Sequence, residues 1–246
     1  VHPLDVDGVI RFAQGMEGAT RTRGFDYTSL GPALPEVPDS YRLIPEALAA
    51  TQHVFFSGMM TSPEGVCPSA VRACADVIHH SAAITPDGFA NLRFAAIANV
   101  PAGTPFFPAA FHNADQPAFA LAMESADLAV EAFRTSPDLP TARRALIEAL
   151  EHQGRALSSI AERLMEDTGV AWRGIDFSLA PFPAEEQSLG AAFERLGVPA
   201  VGLHGSLAAA AIIADTLDRA SFPRAGFNGL MLPVLEDSVL AARAAE

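Results

Sequence analysis

Asp176 and Ser178 stand two apart in the apolar run Gly174-Ile175-Asp176-Phe177-Ser178-Leu179. Strand alternation puts both on one face and Ile175, Phe177 and Leu179 on the other. A carboxylate in so apolar a strand must be hydrogen-bonded, paired or metal-bound, because burying a bare charge is costly. One reading makes Asp176 a catalytic or metal-binding acid. The other makes it a structural acid satisfied by backbone amides at a strand end, and both stay open. His112 closes the extended run Pro105-Phe106-Phe107-Pro108-Ala109-Ala110-Phe111, with Asn113 and Asp115 just behind it. It could serve as a general base or metal ligand, although a lone histidine more often caps a turn. Glu236 and Asp237 end another apolar run. Oxygen-rich candidates such as Asp176, Glu236 and Asp237 would suit a divalent cation (Mg²⁺, Mn²⁺ or Ca²⁺) better than a soft metal. The catalytic candidates are therefore His112, Asp176 and Glu236.

A second group could hold a ligand without reacting with it. Arg93 lies in Asn91-Leu92-Arg93-Phe94-Ala95-Ala96-Ile97, and a buried arginine needs a partner. It could clamp a substrate carboxylate, but an internal acid is the simpler expectation. Gly205-Ser206 opens an alanine-rich helix whose free amides could hold a carboxylate or phosphate, although a plain capped helix is commoner. Asn99, Ser178 and Asp237 complete the ligand-binding candidates. Glu124, Asp127, Glu131 and Arg134 form a charged stripe that reads as a solvated helix face. His79-His80 sits near a helix C-terminus, where positive charge is favoured. Cys67 and Cys74 lie seven apart on one helical face without metal-ligand partners, and read as core.

Strands and helices must position these groups. The pattern predicts helices over 5–22, 40–51, 66–81, 117–134, 141–167, 185–196 and 206–219, and one starting at Asp237. The 141–167 helix would run about 40 Å. Predicted strands are 25–30, ended by Gly31-Pro32, then 53–60, 91–100, 174–179, 200–203 and 227–234. The 53–60 run is apolar without alternation, as suits a strand buried on both faces of a parallel sheet. Alternating strands and helices imply a parallel α/β sheet or barrel. In such folds ligands bind beyond the carboxyl ends of the strands. Thr61, Ser62 and Glu64, then Asn99, the His112 cluster, Asp176 with Ser178, His204 to Ser206, and Glu236 with Asp237 all follow or close apolar strands.

Composition narrows the function classes. Half of the 246 residues are hydrophobic, enough for one large core, and we expect a single domain over 1–246. The net charge of -13, with dispersed arginines, argues against a nucleic-acid partner. All sixteen basic residues are arginines. That removes Schiff-base lysine chemistry, a pyridoxal phosphate anchor and a Walker A loop from this segment. Two cysteines make no disulfide framework, and no apolar run is long enough to span a membrane. A cytoplasmic setting is the expectation. Val1-His2-Pro3 is no translation start and Ala244-Ala245-Glu246 carries no C-cap, so truncation at both ends is expected as well.

Four motifs together resemble the bacterial and archaeal "domain of unknown function 711" family. They are Phe89-Ala90-Asn91-Leu92-Arg93-Phe94-Ala95-Ala96, the 105–112 run, Gly174 to Pro183, and Gly226-Phe227-Asn228-Gly229-Leu230-Met231-Leu232-Pro233-Val234-Leu235-Glu236-Asp237. Ser206 departs slightly, standing where threonine is commoner. The resemblance implies a pyruvate formate-lyase-like fold, a barrel of parallel half-sheets surrounded by helices. It also implies longer chains, and relatives encoded beside small ACT-domain proteins. It supplies no reaction, and glycyl-radical chemistry would need a glycine loop and thiyl cysteine not recognisable here. The leading expectation is an enzyme acting on a small polar or anionic metabolite through a strand-end pocket of acids and His112. The alternative is a non-catalytic metabolite-binding regulator, with a homo-oligomer or an ACT-domain protein as the partners to consider.

Overall fold

The computed structural model describes residues 5–106 and 109–246. Val1-His2-Pro3 and the Phe107-Pro108 part of the expected extended run lie outside the described residues. The chain divides into two compact units, Val1–Ala114 and Asp115–Glu246.

The first unit begins with α1 (Val6–Thr22), whose N-cap Asp5 accepts from the Gly8 amide at 2.7 Å. There follow β1 (Thr28–Ala33), the short helices α2 (Asp39–Arg42) and α3 (Ile44–Ala49), and β2 (Val54–Met59). A tight antiparallel pair, β3 (Thr61–Ser62) and β4 (Gly65–Val66), leads into α4 (Pro68–Ser81). A 3-10 turn over Phe89–Arg93 then feeds β5 (Phe94–Ile97). The expected strand over 91–100 is therefore shorter, and Arg93 sits in the turn before it. Strands β1, β2 and β5 form a three-stranded parallel sheet in that order. β2 is central, which is why its sequence is apolar on both faces. One face packs Phe56 with Tyr41, Leu48, Cys74 and Val77 from the helices. Met59 and Ile97 join Val100 and Ala109 in a smaller cluster. Burying each such large side chain contributes about 1.5–3 kcal/mol.

The second unit opens with β6 (Ala118–Ala122), a correction to the helix expected over 117–134. The helical part, α5, covers only Ala126–Thr135. α6 runs Leu139–Thr168, capped by the Asp138 carboxylate on Thr141 N at 2.8 Å and ended by Gly169 in the left-handed region. β7 (Ala171–Asp176) pairs parallel to β6, with the register slipping between Phe119 and Leu121. Gly174 sits at that slip with φ +120°, and a Cβ there would collide with the backbone of Arg224. A 3-10 turn (Glu185–Gln187), α7 (Leu189–Arg195), α8 (Ser206–Arg219) and α9 (Ser238–Ala245) complete the unit. Its core joins Val130, Phe133, Leu146 and Leu150 to Ile175, Phe177, Leu189, Phe193, Ile213 and Leu217.

The architecture is mixed α/β, with parallel sheets flanked by helices. No closed barrel forms among the described residues. The expected strand over 200–203 is a turn, and the segment expected as strand 227–234 contributes only a bridge, Leu230 to Leu179. No described helix is long and apolar enough to cross a membrane.

Candidate functional site

The carboxyl ends of β1, β2 and β5 open onto one cavity of about 490 Å³. Leu34, Pro35 and Glu36 enter it from the end of β1, Thr61 and Ser62 from beyond β2, and Asn99 and Val100 from beyond β5. Two hydrogen bonds tie the last two ends together. Met60 N donates to Ile97 O at 2.8 Å, and Asn99 N donates to Thr61 Oγ1 at 2.9 Å. Asn99 adopts φ +56°, a conformation asparagine tolerates better than most residues. Ser62 Oγ donates to Glu64 Oε2 at 2.6 Å, which holds the Glu64 carboxyl below its usual range. Glu36 is exposed at the rim.

Beside this edge, Cys67 caps the start of α4. The expectation of two core cysteines holds for Cys74, which is buried, while Cys67 is only half-buried. Burial pushes the Cys74 thiol up to about 11. Cys67 goes the other way: its contact with Ser69 Oγ at 3.2 Å and the first amides of α4 lower its pKa, against smaller opposition from burial and, last, from the charge of Glu36.

In the second unit Asp176 is 1% exposed. Its Oδ1 accepts from Ser178 N at 2.8 Å, Ser178 Oγ at 2.6 Å and Asn228 N at 3.0 Å, and its Oδ2 accepts from Phe227 N at 2.9 Å. Asn228 answers across the same gap: its Oδ1 accepts from Phe177 N at 3.0 Å. Gly226, at φ +76°, lets the loop pass so close that a Cβ would strike the Asp176 carboxylate. The geometry is that of a clasp between the end of β7 and the 226–229 loop.

Asp237 is fully buried and caps α9 through Val239 N at 3.1 Å and Leu240 N at 3.0 Å. It also accepts from Ser188 Oγ at 2.5 Å and Gly190 N at 3.1 Å, tying α9 to the start of α7. Glu236 is exposed, in a turn whose amide donates to Pro233 O at 3.1 Å. His112 is exposed and belongs to the first unit, so the expected trio of His112, Asp176 and Glu236 is divided between the units. Among the described residues no three His, Cys, Asp or Glu gather as a metal site.

Arg93 corrects an expectation. Its guanidinium donates to backbone carbonyls rather than to an acid: Leu48 O and Thr51 O, both at 2.8 Å, and Val54 O at 3.4 Å. Burial lowers its pKa below the usual guanidinium value. It fastens the turn between α3 and β2. The sequence also offers Ser206 as the side-chain cap of α8, and the structure corrects this. Gly205 holds that place at φ +100°, and the Ser206 hydroxyl closes the preceding turn by accepting from Gly202 N and donating to Leu203 O, both at 2.8 Å.

The sequence matches the family described as "Uncharacterised ACR (DUF711)" over residues 3–246. The chain belongs to the DUF711 family. Among its relatives, a UPF0210 protein of Pyrobaculum arsenaticum is 30% identical over 212 residues, covering 82% of this chain and 46% of the relative. A UPF0210 protein of Pyrobaculum islandicum is 31% identical over the same length. One from Desulforudis audaxviator is 33% identical over 208 residues, or 79% of this chain. These names state no reaction. The chain spans about half the length of the curated relatives it matches.

Of the four motifs that resemble the DUF711 family, two meet in the clasp: Gly174 to Pro183 supplies Asp176 and Ser178, and Gly226 to Asp237 supplies Phe227 and Asn228. The sequence reading missed Glu36, because it ended the first strand at Gly31-Pro32. The strand instead passes through a register irregularity at that point and continues to Ala33. The signal was present: Glu36 is the first charged residue after the apolar stretch that starts at Leu30.

Proposed function

We propose that this DUF711 chain binds a small polar metabolite in the crevice at the carboxyl edge of β1, β2 and β5. One observation carries the reading: polar side chains following three adjacent parallel strands, namely Glu36, Thr61 with Ser62, and Asn99, line a single cavity. Parallel α/β sheets take their ligands at this edge. The volume lies within the ~300–1,000 Å³ of ordinary metabolite sites. Thr61 is occupied in holding Asn99, which leaves Glu36, Ser62 and the Asn99 amide to face a ligand.

An enzymatic role would rest on Glu36 as proton acceptor, with the substrate proton held against it. Regulation through binding is the second reading. It is supported by the clasp, because Asp176, the acid with the best claim to catalysis, is engaged in holding the fold. An ACT-domain protein or a second copy of the chain is the partner to test. Asp176 and Asp237 are poor candidates for a divalent cation while their oxygens accept backbone amides, so a cation would have to enlist Glu36 or Glu236. We extend the proposal to a pyruvate formate-lyase-like arrangement of half-sheets, supported by the two parallel sheets flanked by helices. We extend it also to a cytoplasmic setting, supported by the two free thiols.

The test is a thermal-shift screen of amino acids, polyols and small carboxylates against the wild type and Asn99→Gly. Glycine keeps the positive φ while removing the amide. One class is expected to stabilise the wild type by about 2.7 kcal/mol at a hundred times its dissociation constant, and the variant less. Stabilisation of both proteins alike, or of neither, would refute the crevice as the binding site.

A further inference from the structure

The polar groups of the crevice are matched to a donor rather than an acceptor. Among the described residues Glu36 is the charged one lining it, and no arginine or histidine joins the lining. Among the described residues the Glu36 carboxylate takes part in no hydrogen bond or ion pair. The Ser62 hydroxyl proton is committed to Glu64 and its oxygen already accepts from Glu64 N at 3.3 Å, which leaves one lone pair of Ser62 Oγ as an acceptor. Thr61 Oγ1 accepts from Asn99 N and donates toward Met59 Sδ at 3.5 Å. Asn99 presents an amide that can accept through Oδ1 and donate through Nδ2. An anionic ligand would therefore meet one carboxylate and no countercharge, in a chain that is already strongly acidic.

We propose that the metabolite taken by this crevice carries a protonated amine, with Glu36 as its counter-ion and Ser62 Oγ and Asn99 Oδ1 as neutral acceptors. This rests on the crevice being the ligand site. An ammonium offers three donors in a compact head, which matches one carboxylate and two neutral oxygens lining one cavity. Glu36 is exposed, so the gain from its charge is modest in energy and acts chiefly on selectivity.

The experiment compares three four-carbon probes of nearly equal size: putrescine, butanediol and succinate. Binding to the wild type and to Glu36→Gln is followed by amide NMR at Thr61, Ser62 and Asn99. Putrescine is expected to bind about five- to tenfold more tightly than butanediol, with succinate weakest. In Glu36→Gln the preference for putrescine over butanediol should fall to about twofold or less. Succinate binding as well as putrescine, or a putrescine preference unchanged in Glu36→Gln, overturns the amine assignment. Equal binding of putrescine and butanediol to the wild type overturns it as well, while leaving the crevice as a ligand site. If none of the three probes moves these amides at any concentration up to saturation of the solvent, both the assignment and the crevice reading fall.

Discussion

Replacing Asp176 by asparagine separates the two roles an acid at that place could have. In the clasp the carboxylate accepts four hydrogen bonds: Ser178 N, Ser178 Oγ and Asn228 N on one oxygen, and Phe227 N on the other. Asparagine can keep the first oxygen but puts an amino group opposite the Phe227 amide, donor against donor. A buried N–H left without an acceptor costs about 1–3 kcal/mol. The three bonds that remain lose their charge assistance, at about 1 kcal/mol each. Relief from burying a charge offsets part of this. The net loss should be about 3 kcal/mol, with a melting temperature lower by roughly 10 °C.

Trp172, the chain's single tryptophan, lies in β7 and reports on the second unit directly. Urea unfolding followed by its fluorescence should show a midpoint lower by about 1.5 M at an unchanged slope of ~2 kcal/mol/M. Gly226→Ala is the companion variant, because its methyl group would enter the space of the Asp176 carboxylate. Both changes open one contact, so their combined effect should fall well short of the sum. Ligand binding at the crevice of the first unit should survive in both. If Asp176→Asn melts within about 0.5 kcal/mol of the wild type, the clasp reasoning is wrong. Loss of ligand stabilisation at unchanged stability would return Asp176 to the status of a site residue.

Three further outcomes are expected. Arg93→Met should lose about 2–3 kcal/mol of stability in chemical denaturation, because the carbonyls of Leu48 and Thr51 lose their charged donor, and it should leave crevice binding unchanged. Iodoacetamide at neutral pH should label Cys67 alone in the native protein, as read by peptide mass, with Cys74 reacting only after unfolding; early labelling of Cys74 would contradict its burial. The hydrogen bond from Arg243 holds the Glu194 carboxyl below its usual range, so its contribution is complete above the ordinary carboxylate pKa of about 4.3 and is lost as pH falls through the lowered folded-state value. Amide exchange in α9 should accelerate over that acid window by an amount worth no more than about 1 kcal/mol, and Arg243→Met should abolish the pH step.

What the sequence disclosed follows from how far each signal reaches along the chain. α8 occupies Ser206–Arg219 as its pattern predicts, and α6 lies between the cap at Asp138 and the stop at Gly169, because caps act within a few residues. β2 was legible from composition, since a central parallel strand must be apolar on both faces. The 117–134 segment misled for an equally local reason. Phe119, Met123, Ala126, Val130 and Phe133 recur at helical spacing, and alanine favours helix. Pairing with β7, some fifty residues away in sequence, overrides that preference and draws Ala118–Ala122 into a strand.

The strand-end rule shows where local reading stops. Polar residues beyond parallel strands converge only when the strands share a sheet, and sharing is a long-range property. Thr61 and Asn99 meet because β2 and β5 pair through Met59 and Ile97. Asp176 ends a parallel strand as well, but among the described residues β7 pairs with β6 alone, and its other side and the residues just beyond it are taken by the 224–230 segment through bridges at Ile175 and Leu179. The sequence predicts a strand over 227–234, which overlaps that segment. It does not become one because Gly226 and Asn228 turn into the left-handed region, and the amides of Phe227 and Asn228 point at the Asp176 carboxylate. A polar residue at the same kind of strand end thus lines a candidate ligand edge in one unit and closes a loop in the other, according to whether a neighbouring strand or a returning loop packs beside it.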